Sequence, residues 1–194
     1  APWQNDLIAT TRFLLRLRDE HPVMRPDSFA SGRPAEGDEI ADLAWYRADG
    51  EPMQGWTWHD PATRVIQMLR SGRALGDDDL LVVINGSLDQ VDVVLPDAHG
   101  KDWHLTWDST WPVPRPHSSA FALARRVKRG PAAHWRAINP EGARAARTGA
   151  TDCRQDRPGD TTTLESLTMR IYLSGERLEP VAEPDPAPVP AQDR

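Results

Sequence analysis

The sequence predicts a mostly β fold: an antiparallel β-sandwich preceded by one α-helix. Three observations predict it. Residues 6–20 carry apolar side chains at helical spacing. From residue 38 onward the apolar period changes to two. The short runs of that second kind are separated by Asp-Gly, Ser-Gly, Asn-Gly and Pro punctuation, which favours two packed sheets.

The helix comes first. Leu7, Ile8, Thr11, Leu14 and Leu15 fall on one face, with Arg12, Arg16 and Asp19 towards the other. Asp6 is a plausible N-cap, and His21-Pro22 is a stop, because the residue before proline is pushed out of the α region. In Ile40 to Tyr46 the side chains of Ala41, Leu43 and Trp45 share a face, and Asp49-Gly50 supplies a turn into the return Trp56-Thr-Trp-His-Asp60. Val65 to Leu69 is a short apolar segment closed by Ser71-Gly72, and Asp77 to Asp79 is expected to be a solvated loop rather than a calcium loop.

Leu80 to Ile84 is a continuous apolar run and predicts a central strand buried on both faces. Asn85-Gly86 ends it, and Val91 to Leu95, stopped by Pro96, is expected to return beside it as a hairpin. Trp103, Leu105 and Trp107 alternate onto one face. The last strand, Leu167 to Leu173, is expected to turn Leu167, Met169, Ile171 and Leu173 inward. Residues 112–161, rich in Pro, Arg, Ala and Gly, predict an irregular insertion with a short helical piece near 120–128, and residues 179–194 a disordered Pro-rich tail. The domain plan is therefore a terminal helix at 1–24, a sandwich at 25–111 and 162–178, the insertion, and the tail.

Composition excludes several functions. A net charge of −6 argues against a nucleic-acid binder, and the local run Arg125 to Arg129 reads as a solvated loop. No apolar run approaches the length that crosses a bilayer, so no membrane partner is expected. One cysteine, Cys153, allows no intrachain disulfide, and a reducing, cytoplasmic compartment is the simpler expectation. The start at Ala1, without Met and directly ahead of a helix, suggests a piece of a longer polypeptide.

Catalytic patterns are missing from the sequence. The six histidines show no metal-ligand spacing, so neither a metal nor another cofactor is expected. His59-Asp60 points to opposite sides of an extended chain, and no serine sits in a nucleophile elbow. Carboxylates cluster in loops or alternate outward on strands, where they stay solvated and ionised. The tryptophans are the better clue: eight, against three Phe and two Tyr. Indole faces stack on the C–H patches of sugars while the N–H finds an acceptor. Trp45, Trp103 and Trp107 alternate as core residues do. Trp56, Trp58 and Trp111 are the candidate carbohydrate-binding residues, with packing as their competing role.

Several segments resemble one family. Leu15-Arg-Leu-Arg-Asp-Glu-His-Pro22 is similar to the last barrel helix of bacterial glycogen debranching enzymes of the α-amylase superfamily, and Arg25 to Gly32 looks like the link out of that barrel. Asp42-Leu-Ala-Trp45 with Asp49-Gly-Glu-Pro-Met53 and Trp58 resembles the first strand and turn of their C-terminal domain. Leu80 to Asn85, Trp103 to Thr110 and Leu164 to Leu173 resemble its central, closing and final strands; residues 112–160 depart from the pattern.

The resemblance implies an α-1,6-glucosidic hydrolase trimming branches from glycogen or limit dextrin, close to the isoamylases and the trehalose-pathway debranching enzymes. It also implies an upstream (β/α)8 barrel in cis, whose aspartate nucleophile and glutamic acid donor act by retaining double displacement. Those carboxylates precede Ala1, so no catalytic residue carries over and this stretch alone is expected to be inactive. The alternatives are a carbohydrate-binding module and an unrelated β-sandwich interaction protein.

Overall fold

The computed structural model describes residues 2–97, 99–114 and 154–175. A helix, α1 (Pro2–Glu20), leads through one 3-10 turn, Pro22–Met24, into the β region. The strands are β1 (Ala44–Tyr46), β2 (Val65–Arg70), β3 (Leu80–Asn85), β4 (Val91–Val94), β5 (Asp102–Asp108), β6 (Gln155–Asp156), β7 (Thr161–Leu164) and β8 (Thr168–Gly175). Six of them form one antiparallel sheet in the order β1-β2-β3-β8-β5-β6, and β4 and β7 form a second, two-stranded sheet.

Among the described residues, the structure shows the expected mostly antiparallel β fold with a single leading helix. The larger sheet has two apolar faces. Val65, Leu69, Leu81, Val83, Trp103 and Tyr172 face the small sheet, which contributes Val93, Leu95 and Leu164 to the core between them. On the opposite face, Leu80 and Leu173, with Met68, Val82 and Ile171, meet Leu17 and Phe13 of α1 and Val23 of the following turn. Strand β3 lies inside the sheet between β2 and β8 and is apolar on both sides, as its unbroken run predicts.

Four local expectations are corrected. The segment 91–95 does not return beside β3; β4 pairs with β7, with Val93 opposite Thr162, because the loop at 86–90 carries the chain across to the second sheet. Strand β8 is inverted relative to expectation: Thr168, Arg170 and Tyr172 are buried against the small sheet, while Met169, Ile171 and Leu173 face the helix side. Both faces are covered, so alternation alone could not assign them. A register shift between Leu105 and Trp107 makes a bulge in β5. Trp103 and Leu105 lie opposite Ser174 and Tyr172, but Trp107 lies opposite Ile171 and so joins the other face. Finally, β6 is a short strand inside the stretch expected to be irregular.

Inverting β8 places an arginine in the core, and the fold compensates it. Arg170 Nε donates to Asp108 Oδ2 at 2.6 Å and Nη1 donates to Thr162 Oγ1 at 3.0 Å. Gln67, wholly buried on β2, ties the two sheets together: its Nε2 donates to the carbonyls of Arg47 at 2.7 Å and Val94 at 2.8 Å. The expected turn at Asp49-Gly50 is present. Gly50 has φ of +81°, and the backbone around it returns so that Met53 N–H donates to Trp45 O at 2.8 Å. The helical piece near 120–128, Cys153, the basic run at 125–129 and the Pro-rich tail lie outside the described residues.

Candidate functional site

Three features stand out: a buried acidic junction at the end of the helix, a tryptophan corner at the edge strand, and an apolar stripe on the helix. The junction forms where α1 ends against the loop from β2 to β3. The aspartates at 77–79 are not solvated as expected; they are 7%, 3% and 2% exposed. Gly72 lets that loop close on itself, since a Cβ there would stand 2.1 Å from the carbonyl oxygen of Asp78. Its N–H donates to Asp79 Oδ1 at 2.9 Å.

Each aspartate has a different environment. Asp77 holds the helix end: Oδ1 meets His21 Nδ1 at 3.0 Å, and Oδ2 accepts the Val23 N–H at 3.0 Å. Burial pushes its pKa up, but these bonds outweigh burial and hold it below the ordinary range. Asp79 is anchored to β8, with its N–H donating to Ser174 Oγ at 2.8 Å. Its Oδ2 meets His99 Nδ1 at 2.7 Å, while His99 Nε2 meets Asp38 Oδ1 at 2.6 Å. An imidazole can donate from both nitrogens only when protonated, so the bridge is an imidazolium between two carboxylates. Burial lowers the His99 pKa, yet the two carboxylates raise it above the ordinary value. Burial raises that of Asp38 too, but His99, the Ile40 N–H and Ser71 bring it down to about 2.

Asp78 is the exception. No hydrogen-bond donor among the described residues reaches its carboxylate, and burial pushes its pKa up to about 6 against the pull of Lys101 and His21. Beside the junction opens a cleft of about 380 Å³ lined by Arg73, Asp77, Asp79, His99 and Lys101. The sequence missed this assembly because its partners come from afar: 56 residues separate His21 from Asp77, and 61 separate Asp38 from His99. The histidine before proline and the acidic run were the visible signals; nothing local connected them.

The tryptophan corner lies at β1. Trp56 and Trp58 are 60% and 49% exposed, and Trp58 meets the half-buried Trp45 edge-on with ring centroids 5.5 Å apart. The Arg47 guanidinium stands over the Trp56 ring at 5.9 Å and pairs with Asp49, and the Trp56 N–H donates to Gln54 Oε1 at 3.0 Å. Trp111 is half-buried after β5, three strands across the sheet from β2, so the three candidate sugar residues do not share one surface. Trp103 is fully buried in the core and Trp107 nearly so, but on opposite faces of the sheet rather than on the shared face that their alternation suggested.

The helix shows a third pattern. Leu17 is buried and Phe13 half-buried against the sheet, so the seated side is not the expected one, of which Leu14 alone is half-buried. Of the expected face, Leu7, Ile8 and Leu15 are 57%, 47% and 62% exposed, and Trp3 beside them is 64% exposed. The helix thus carries two neighbouring apolar stripes, one seated on β3 and β8 and one open.

Known proteins give this geometry a context. The family described as isoamylase, C-terminal, matches residues 42–116. The glycogen operon protein GlgX homolog of Mycobacterium tuberculosis (strain H37Rv) is 30% identical over 120 residues, covering 56% of this chain and 17% of that protein. An isoamylase of Flavobacterium sp is 29% identical over 105 residues (52% and 14%), and one of Pseudomonas amyloderamosa 27% over 108 residues (55% and 13%). The chain therefore spans less than a fifth of the length of these relatives. The resemblance drawn from the sequence holds over that stretch: residues 42–116 are similar to the isoamylase C-terminal domain, and the relatives found are a GlgX homolog and isoamylases.

Proposed function

We propose that the chain is the accessory C-terminal domain of a glycoside hydrolase that cleaves α-1,6 branch linkages in glycogen or limit dextrin. Its task is mechanical: it seats α1 on the sheet and presents the open stripe to a catalytic body carried by the same polypeptide. The observation that supports this is the stripe itself. Soluble proteins seldom leave Trp, Leu, Ile and Leu together in water on one helix. Covering such a patch contributes about 25 cal/mol per Å² before entropic losses. The acidic junction supports the same reading, since it fixes the helix end to two strands and so sets the angle at which the stripe is offered.

The test is a pair of assays on branched glucan. The chain by itself is expected to release no reducing ends, while the full polypeptide releases them. Leu7→Asp with Leu15→Asp in the full polypeptide should lower its melting temperature and leave the fold of this chain alone intact. Reducing ends released by the chain alone would defeat the proposal, as would a full polypeptide indifferent to the two aspartates.

A second role is favoured by the exposure of Trp56 and Trp58: direct contact with glucan chains at the β1 corner. Indole faces at 60% and 49% exposure are available for stacking, and Arg47, Asp49 and Gln54 stand beside them as hydrogen-bonding groups. Retarded migration of the chain in glycogen-containing gels, lost on Trp56→Ala and Trp58→Ala, supports it; unchanged migration removes it.

A further inference from the structure

The latch between helix and sheet accounts for Asp77 and Asp79 but not for Asp78. Four carboxylates, Asp38, Asp77, Asp78 and Asp79, meet at this junction, and His99 balances two of them. His21 and the Val23 N–H take the third. The carboxylate of Asp78, on a residue 3% exposed, is left without a hydrogen-bond donor among the described residues. A buried anion of this kind is costly unless a cation compensates it.

We propose that His21, Asp77 and Asp78 bind a divalent first-row transition cation of the Zn²⁺ class. Each of the three brings one ligand-type atom within 4.8 Å of the other two, with all three residues buried. A cation holding N and O donors at about 2.1 Å draws neighbouring donors to about 3 Å apart. The site therefore closes by a small movement of side chains rather than of strands. One imidazole with two carboxylates favours zinc or manganese over calcium and magnesium, which take oxygen ligands. Asp77 is already oriented by the Val23 N–H, as metal-bound carboxylates are by their outer partners. The cleft bordered by Asp77 and Lys101 gives water and the ion an entry path. Bound there, the ion joins the end of α1 to the β2–β3 loop and stiffens the seat of the helix.

The experiment uses the full chain after dialysis against a chelator. Zn²⁺ alone is titrated by calorimetry at pH 7, Co²⁺ alone is followed by its visible spectrum, and melting is recorded with and without metal. One equivalent should bind, the melting temperature should rise, and Co²⁺ should show an N/O-ligated band. Asp78→Asn should weaken Zn²⁺ binding by about tenfold or more and abolish the melting shift. His59→Gln, remote from the junction, should change nothing. Because Asp78 makes no bond that the fold needs, its Asn variant folds even if a His21 variant does not. No melting shift with Zn²⁺, equal affinity in Asp78→Asn, or a larger shift with Ca²⁺ than with Zn²⁺ would each overturn the assignment.

Discussion

The two faces of the six-stranded sheet differ in how complete they are. The face towards β4 and β7 is the more complete: Val65, Leu69, Leu81, Val83, Trp103 and Tyr172 are buried on it, Tyr46 and Leu105 are partly buried at its margin, and its polar insertions, Arg170 and Gln67, have partners drawn from two strands or two sheets. The face towards α1 is covered along only part of its width. Met68, Val82 and Ile171 stay partly accessible there, and the covering helix turns a second apolar stripe outward. One face is a self-sufficient core; the other, on the function proposed above, is half of an interface. If the open stripe on the helix docks as proposed, stability and docking lie on opposite sides of the sheet and are separable by mutation.

The largest effect is expected on the more complete face. Asp108→Ala would leave Arg170, 8% exposed, without its carboxylate and would free the Thr110 N–H and hydroxyl that the same carboxylate accepts. Breaking a buried pair from one side costs about 3–5 kcal/mol. Denaturant unfolding of the chain checks this. A loss under about 1 kcal/mol would show that water reaches Arg170.

The sharpest contrast comes from two leucines on one helix. Leu17→Ala removes a side chain that is 3% exposed and belongs to the buried cluster with Val23, Leu80 and Leu173, so about 2–4 kcal/mol should be lost. Leu15→Ala, at 62% exposure, should change the stability of this chain by less than about 0.5 kcal/mol. If the proposed docking holds, the Leu15 substitution should become measurably destabilising in a polypeptide that carries the catalytic body, and that change of context is the signature of a docking face. Equal losses for both leucines in the chain alone would break the comparison.

The sequence showed some of this difference and hid the rest, for physical reasons. The run from Leu80 to Ile84 declared a strand covered on both faces, and Asp49-Gly50 declared its turn. The period of β8 was equally visible, but a strand sealed on both sides gives no sign of which residues meet which layer. The bulge at Leu105–Trp107 left no mark in an unbroken alternation, so the turning over of Trp107 was invisible. The acidic run at 77–79 looked solvated because the groups that bury it, His21 and His99, arrive from other parts of the chain. The helix periodicity found an apolar face, yet Phe13 and Leu17 extend the apolar arc round the helix. Only the sheet decides which part of that arc is covered.

A smaller effect than the loss of Leu17 is expected where the covered face meets the acidic junction, and it depends on pH. Asp78 has a folded pKa pushed up to about 6, chiefly by burial, so the folded chain holds this proton more tightly than the unfolded one. Its cost is absent near pH 4, grows as pH rises, and is fully present above pH 6. Asp78→Asn in the metal-free chain should therefore stabilise it at pH 7 by on the order of 2 kcal/mol and leave it unchanged at pH 4. His99 behaves differently. Its pKa is raised between Asp38 and Asp79, so its contribution is complete below its ordinary value and is lost as pH climbs through the raised one. Melting curves from pH 4 to 9 should then show a decline in the wild type that begins below pH 6. In Asp78→Asn the decline should begin only where His99 loses its proton. If both proteins decline in parallel across the whole range, Asp78 is ionised at no cost, and the junction is wetter than its burial indicates.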